Sequence, residues 1–262
     1  MNETIHLIHD RMSLRRYRNR PLREEHVDAI LEGAMRAPTA GNMMLYTILQ
    51  VEDAKKKAAL ADACGHAFIG DAPLVLLFLA DMQRWQDVYE AAGVPEACER
   101  SGRPFRTPDM GKLLLGCCDA LLAAHTSVLA AESLGIGSCY VGDVIGLSGQ
   151  HRSLFDLPPW AFPITMVCYG YYPEDLQRSR TPRFARRFIC CQDRYKRLSE
   201  AELAEMLSDV QAKFADVLRK RGMNLGEMTY SHFSAGPAAR ALAAAAARQI
   251  EPWGTPQRHE PD

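Results

Sequence analysis

The run from Met110 to Leu134 constrains the fold of this chain more than any other stretch. It opens Met-Gly-Lys-Leu-Leu-Leu-Gly-Cys-Cys-Asp-Ala-Leu-Leu-Ala-Ala-His and stays rich in Leu and Ala to its end, with Asp119 and His125 set inside it. This predicts one long α-helix. A helix apolar nearly all round must be buried, at the centre of a domain or at a subunit interface, so the remaining elements have to be arranged to cover it.

The covering elements can be read from pattern. Pro73 to Ala80 is continuously apolar and too short for most independent helices, which predicts a central strand covered on both faces. Tyr46 to Val51 and Phe162 to Tyr172 read as further strands, and Gly135 to Gly142 as a glycine-punctuated turn into a short one. Between Glu24 and Arg36, the residues Val27, Ile30, Leu31, Ala34 and Met35 follow the spacing of an amphipathic helix. Helices are also expected over Glu3–Asp10, Asp53–Ala63 with Gly65 as C-cap, Arg84–Ala92, Ser148–Phe155 and Ser199–Arg219. Gly93 to Pro108, carrying Pro95, Gly102, Pro104 and Pro108, reads as a loop or lid. After Gly222 the chain reads as irregular until Pro237 starts an alanine-rich helix ending before Glu251-Pro252, and the tail from Thr255 reads as unstructured. No internal repeat is present.

Composition narrows the class. The 262 residues are 47% hydrophobic and 24% charged with a formal net charge of -1, an ordinary globular balance that argues against a dedicated nucleic-acid binder. No uncharged apolar stretch of about 18 residues occurs, and Glu3, His6 and His9 interrupt the first turns, so no membrane span or signal peptide is expected and the location expected is the cytoplasm. The eight cysteines include the neighbours Cys117-Cys118 and Cys190-Cys191 but no Cys-x-x-Cys. That is reduced usage with no metal-site spacing, and these thiols, like Cys139 and Cys168, are expected in core packing.

Two polar clusters carry the informative chemistry. In Arg11-Met12-Ser13-Leu14-Arg15 an extended backbone points Arg11, Ser13 and Arg15 the same way, two cations flanking a hydroxyl, which suits a phosphate or another anion. In Ala37-Pro38-Thr39-Ala40-Gly41-Asn42, Pro fixes one dihedral, Gly permits a turn with positive φ, and Asn bonds both ways. The helix between them joins two loops that can face one pocket.

These two clusters resemble the opening of the nitroreductase family. The resemblance extends through Asp71-Ala72-Pro73, the helical stretch Asp119 to Leu134, Gly135-Ile136-Gly137-Ser138-Cys139-Tyr140-Val141-Gly142-Asp143, Pro182-Arg183-Phe184 and Tyr195-Lys196-Arg197-Leu198, over roughly residues 4 to 205. It implies an α+β fold, a mixed and mostly antiparallel sheet between helices, with the long helix buried at a homodimer interface. It also implies FMN as cofactor, NADH or NADPH as co-substrate, and small-molecule electron acceptors such as nitroaromatics and quinones, used in a ping-pong cycle. An FMN-binding domain over 1–205 and a helical extension over 206–262, embracing the partner subunit, complete the expectation.

The resemblance places Arg11, Met12, Ser13, Arg15, Pro38, Thr39, Ala40, Asn42, Tyr140, Val141, Gly142 and Arg183 at the cofactor. Arg11 and Arg183 pair with the phosphate, because a planar guanidinium fork matches phosphate oxygens. Arg15 sits by the N1–O2 edge, where a cation stabilises the charge left by hydride addition at N5. Ser13 and Asn42 hydrogen-bond the ribityl chain or ring, the backbone of Tyr140 to Gly142 approaches N5, and Thr39 and Ala40 line the cavity, in this reading from the partner subunit. No protein side chain is assigned the chemistry, since the flavin carries it, and no metal is implied. Arg180, Arg186 and Arg187 are candidates for a 2'-phosphate.

The sequence departs from the family pattern at several points. Met12 stands where a second basic residue is common, Met44 replaces a frequent Gln, Gly65-His66 falls where an amide often meets the pyrimidine, and Cys190-Cys191 sits where a hydrophobic residue and His are usual. The competing readings are a specialised flavin enzyme (dehalogenase, enoate or azo reductase) and a non-catalytic flavin-binding redox sensor. His125 reads as a core or interface residue.

Overall fold

The computed structural model describes residues 2–147, 149–178 and 182–254. Ser148, Arg180 and the tail from Thr255, which enter the expectations above, lie outside the described residues. The chain forms two compact units, one of residues 1–178 and 242–262 and one of 179–241.

The first unit is built on a four-stranded antiparallel sheet in the order β1-β2-β4-β3, with β1 Tyr46–Gln50, β2 Leu74–Asp81, β3 Ile136–Val141 and β4 Ala161–Tyr171. β2 is buried at every position, and its alternation shows why it is apolar throughout. Leu74, Leu76 and Phe78 face one layer, where Ile30 and Ala34 of α2 (Glu24–Met35) and Ala120, Ala123, Ala124, Val128 and Ala131 of the long helix pack. Val75, Leu77 and Leu79 face the other, against Leu60 and Cys64 of α3 (Ala54–Cys64). The expectation of a central strand covered on both faces is met. Around this core stand α1 (Glu3–Asp10), α4 (Gln83–Ala91), α5 (Val94–Arg100), α6 (Met110–Ser133) and α7 (Gly149–Leu154).

α6 is the expected long helix, and within the single chain one side of it is covered. Its alanine seam lies on the sheet and against α2, so close that a Cβ on Gly33 would meet the Cβ of Ala130 at 2.8 Å. The opposite side exposes Met110, Leu114, Leu115, Cys118, Leu121, Leu122 and His125. The sequence alone did not reveal that polarity of packing, because both faces are equally apolar. The helix is also long and apolar enough to cross a membrane by composition, yet it carries Lys112, Asp119 and Glu132 and one face is packed on the sheet.

Other boundaries moved for local reasons. The expected loop from Gly93 to Pro108 contains α5, whose Pro95 occupies the first turn, where a missing N–H costs nothing. In the second unit, α8 (Arg186–Ile189) interrupts the basic connector and α9 spans Glu200–Arg221. The boundary expected at 205/206 falls inside that continuous helix. The segment read as irregular after Gly222 holds α10 (Leu225–Phe233), started by a capping box in which Asn224 and Glu227 satisfy each other's backbone N–H groups. That Asn-x-x-Glu signal was present in the sequence. α11 (Pro237–Gly254) runs through Pro252 rather than stopping before it. Its part from Leu242 onward belongs to the first unit, where Trp253, 2% exposed, packs with Leu45, Met82, Leu113 and Phe162.

All eight cysteines are free thiols. Cys139 and Cys168 are core residues as expected and Cys64 is buried too, whereas of the neighbouring pairs expected in the core Cys117 is half-buried and Cys118, Cys190 and Cys191 are exposed.

Candidate functional site

Two clusters bring the sequence candidates together, one bridged to β3 and one anchored to α6. The first is the arginine segment. Ser13 forms a parallel bridge to Ser138, and Leu14 N donates to Ser138 O at 2.8 Å, so residues 13–14 lie as a short extra strand on the outer edge of β3. Two glycines make room for Leu14 and Tyr17 against the sheet. A Cβ on Gly137 would meet Leu14 at 2.6 Å and Tyr172 at 2.7 Å, and one on Gly170 would meet the Tyr17 ring at 2.5 Å.

The outer arginines of this segment are tied back to the chain after β4. Arg16 donates to Asp175 at 2.9 and 3.0 Å, and Arg18 Nε donates to Tyr172 O at 2.7 Å. Arg11, Ser13 and Arg15 are left together beside β3. The charges of Arg15 and Arg11 act on the buried thiol of Cys139 in β3. Burial raises that thiol despite the pull of Arg15, and burial pushes the neighbouring Tyr140 hydroxyl up to about 12 despite Arg11. Arg11 Nη1 is buried and, among the described residues, has no hydrogen-bond partner. A buried guanidinium donor aimed at no protein acceptor fits an anion such as a phosphate oxygen.

Behind Arg11 lies a group that the sequence reading did not assemble. Tyr172 Oη donates to Glu132 Oε1 at 2.7 Å, Arg178 Nη1 stands 3.9 Å from Glu132 Oε2, and the Arg178 guanidinium lies 3.9 Å over the Tyr172 ring. Burial raises the Glu132 carboxyl, opposed by the Tyr172 hydrogen bond and by the charges of Arg178 and Arg11. An ionisable residue inside an apolar helix was the available signal.

The second cluster is the loop after α2. Thr39, Ala40 and Leu45 converge on Asp119 of α6, from Thr39 Oγ1 at 2.5 Å, Ala40 N at 3.0 Å and Leu45 N at 3.1 Å. Pro38 and Asn42 are exposed at its rim. Gly41 has the expected positive φ of 58°, and Asn42 and Met44 also adopt positive φ, 56° and 50°. Asp119 and Glu132 stand thirteen residues apart on α6, about 20 Å at 1.5 Å per residue, so the Thr39 loop and the Tyr172–Arg178 pair are fastened at separate points of one helix.

Tyr140 and Val141 end β3, Gly142 follows it, and Asp143 begins the turn beyond. His66 Nε2 lies 3.3 Å from Asp143 Oδ2 and stacks on Phe68. Met12 is half-buried next to Arg11. Arg183 belongs to the second unit, where its Nη1 donates to Pro182 O at 3.3 Å. Of the 2'-phosphate candidates there, Arg187 pairs with Glu205 and lies over Phe188, and Arg186 is exposed at the start of α8. Among the described residues no group of three or more His, Cys, Asp or Glu side chains is placed to hold a metal.

An antiparallel sheet packed between helices, with an arginine-bearing segment bridged to its edge, defines an α+β protein. The chain belongs to the nitroreductase family, whose model matches residues 8–171. An FMN reductase [NAD(P)H] of Bacillus subtilis is 30% identical over 222 residues, 84% of this chain and 85% of that protein. An NADPH-dependent oxidoreductase of Staphylococcus epidermidis is 28% identical over 183 residues, 70% of each chain. Among solved structures, B. megaterium NfrA2 aligns with a TM-score of 0.73 at 28% identity, covering 95% of this chain and 98% of that one. Nitroreductase A of Vibrio parahaemolyticus, at 22% identity and a TM-score of 0.79 over 95% of this chain and 98% of its own, supports the fold.

Proposed function

We propose that this chain is an FMN-dependent oxidoreductase that passes two electrons from NAD(P)H to nitroaromatic or quinone acceptors in a ping-pong cycle. The observation that carries the reading is Arg11, a half-buried residue whose Nη1 is buried and, among the described residues, unpartnered, on the segment that also presents Ser13 and Arg15. FMN, when bound, supplies hydride chemistry that no protein side chain here offers.

The chain's own residues bind and orient. Arg11 holds the phosphate, with Arg183 as a second cation. Arg15 places positive charge at the N1–O2 edge, and Ser13 and Asn42 hydrogen-bond the ribityl chain or ring. The backbone from Tyr140 to Gly142 forms the wall at N5, and Met12 and Pro38 border the cavity. Thr39 and Ala40 come from the second subunit of a homodimer formed through the exposed face of α6, where Leu114, Leu115, Leu121 and Leu122 repeat at helical spacing. The helical segment from residue 206 embraces that partner, and the enzyme works in the cytoplasm.

The test is anaerobic stopped-flow absorbance of FMN-loaded protein mixed with NADH or NADPH, followed by a nitroaromatic. Bleaching of the flavin band and its return with acceptor supports the reading and ranks the donors. FMN uptake with no bleaching by either donor refutes the oxidoreductase.

A further inference from the structure

We propose that Asp119 is a positioning residue whose carboxylate sets the shape of the loop from Thr39 to Leu45 and so aims Asn42 at the flavin; this rests on the flavin reading above. Asp119 is 3% exposed on an otherwise apolar stretch of α6. A carboxylate there is costly unless it is fully hydrogen-bonded. Among the described residues, every donor it takes comes from the loop. Oδ1 accepts from Ala40 N at 3.0 Å, and Oδ2 accepts from Thr39 Oγ1 at 2.5 Å and Leu45 N at 3.1 Å. One side chain therefore grips both ends of the loop.

The Thr39 hydroxyl extends the grip inward. While donating to Asp119 it accepts from Met44 N at 2.8 Å. From the far side α4 takes the loop's carbonyls: Trp85 Nε1 donates to Met43 O at 2.8 Å and Arg84 Nη1 to Met44 O at 3.3 Å. Between these anchors Asn42 and Met44 sit in the left-handed region. Asn tolerates that conformation, but Met does not choose it, and such a backbone persists only where its surroundings impose it. The exposed amide of Asn42 is the polar side chain that the gripped loop presents. A carboxylate is required because three donors converge; an amide would turn its NH2 toward a backbone N–H.

The experiment measures FMN dissociation constants and the visible circular dichroism of bound FMN for wild type, Asp119→Asn, Thr39→Val, Thr39→Ser and the double variant Asp119→Asn/Thr39→Val. Far-UV circular dichroism and dimer mass are recorded alongside. The expected result is at least tenfold weaker FMN binding and an altered visible band for Asp119→Asn and Thr39→Val, with far-UV signal and dimer retained. Thr39→Ser, which keeps the hydroxyl, binds within threefold of wild type. The double variant is no weaker than the worse single, because both changes release one network. Binding within twofold of wild type and an unchanged visible band in Asp119→Asn and Thr39→Val overturn the proposal alone. A wild-type protein that takes up no FMN overturns the flavin reading and this proposal together.

Discussion

Tyr172 donates a 2.7 Å hydrogen bond to Glu132, a carboxylate whose side chain is 1% exposed at the end of α6. Burial outweighs that bond and the two guanidinium charges, so the folded protein holds the Glu132 proton more tightly than the unfolded chain does. A raised carboxyl contributes stability that is full below the unfolded value and is lost as pH rises through the folded one. Glu132→Gln is expected to remove this loss: the variant's unfolding free energy falls less than that of wild type as pH rises upward from the ordinary carboxylate range. Urea melts across pH 4 to 8 check it, and parallel curves for the two proteins contradict it.

Arg11→Ala should discriminate between flavins. If Arg11 meets the phosphate, the loss is ~1.5–3 kcal/mol for a charge-assisted hydrogen bond, about 10- to 150-fold in FMN affinity, with riboflavin binding unchanged. Fluorescence titration of the apoprotein with both ligands measures the difference. Equal weakening for both would remove Arg11 from the phosphate.

Leu121→Asp should break self-association. Leu121 is exposed on the outer face of α6 and turned away from the sheet, so a carboxylate there costs the single chain little and a dry interface much. Sedimentation velocity should find a folded monomer, and FMN affinity should fall with the dimer.

Gly137→Ala should loosen the arginine segment. The added methyl would lie 2.6 Å from Leu14 and 2.7 Å from Tyr172, an overpacking cost of about 1–3 kcal/mol. The melting temperature drops, and FMN affinity drops with it because Leu14 sits between Ser13 and Arg15. A melting temperature equal to wild type would show that the segment can yield without cost.

Much of the architecture was legible because it rests on local rules. β2 is continuously apolar because both of its faces are covered, and Gly65 ends α3 in the left-handed conformation, φ 67°, that its position after the helix suggested. The Arg11 segment and the Thr39 loop were visible as polar punctuation around an amphipathic helix. Their partners were not, because Asp119 lies 80 residues from Thr39 and Glu132 lies 40 from Tyr172; pairings that distant depend on tertiary packing. The same limit hid which face of α6 turns outward.

The short strand at Ser13 and Leu14 has a consequence apart from any ligand. β3 ends the sheet on that side, and an open strand edge is a template for pairing with other chains. By bridging Ser138, the arginine segment caps that edge with charged residues on either side of the bridge. Changes that detach it should therefore be felt first as poor solubility, in cells as in the test tube, before any loss of redox turnover can be measured.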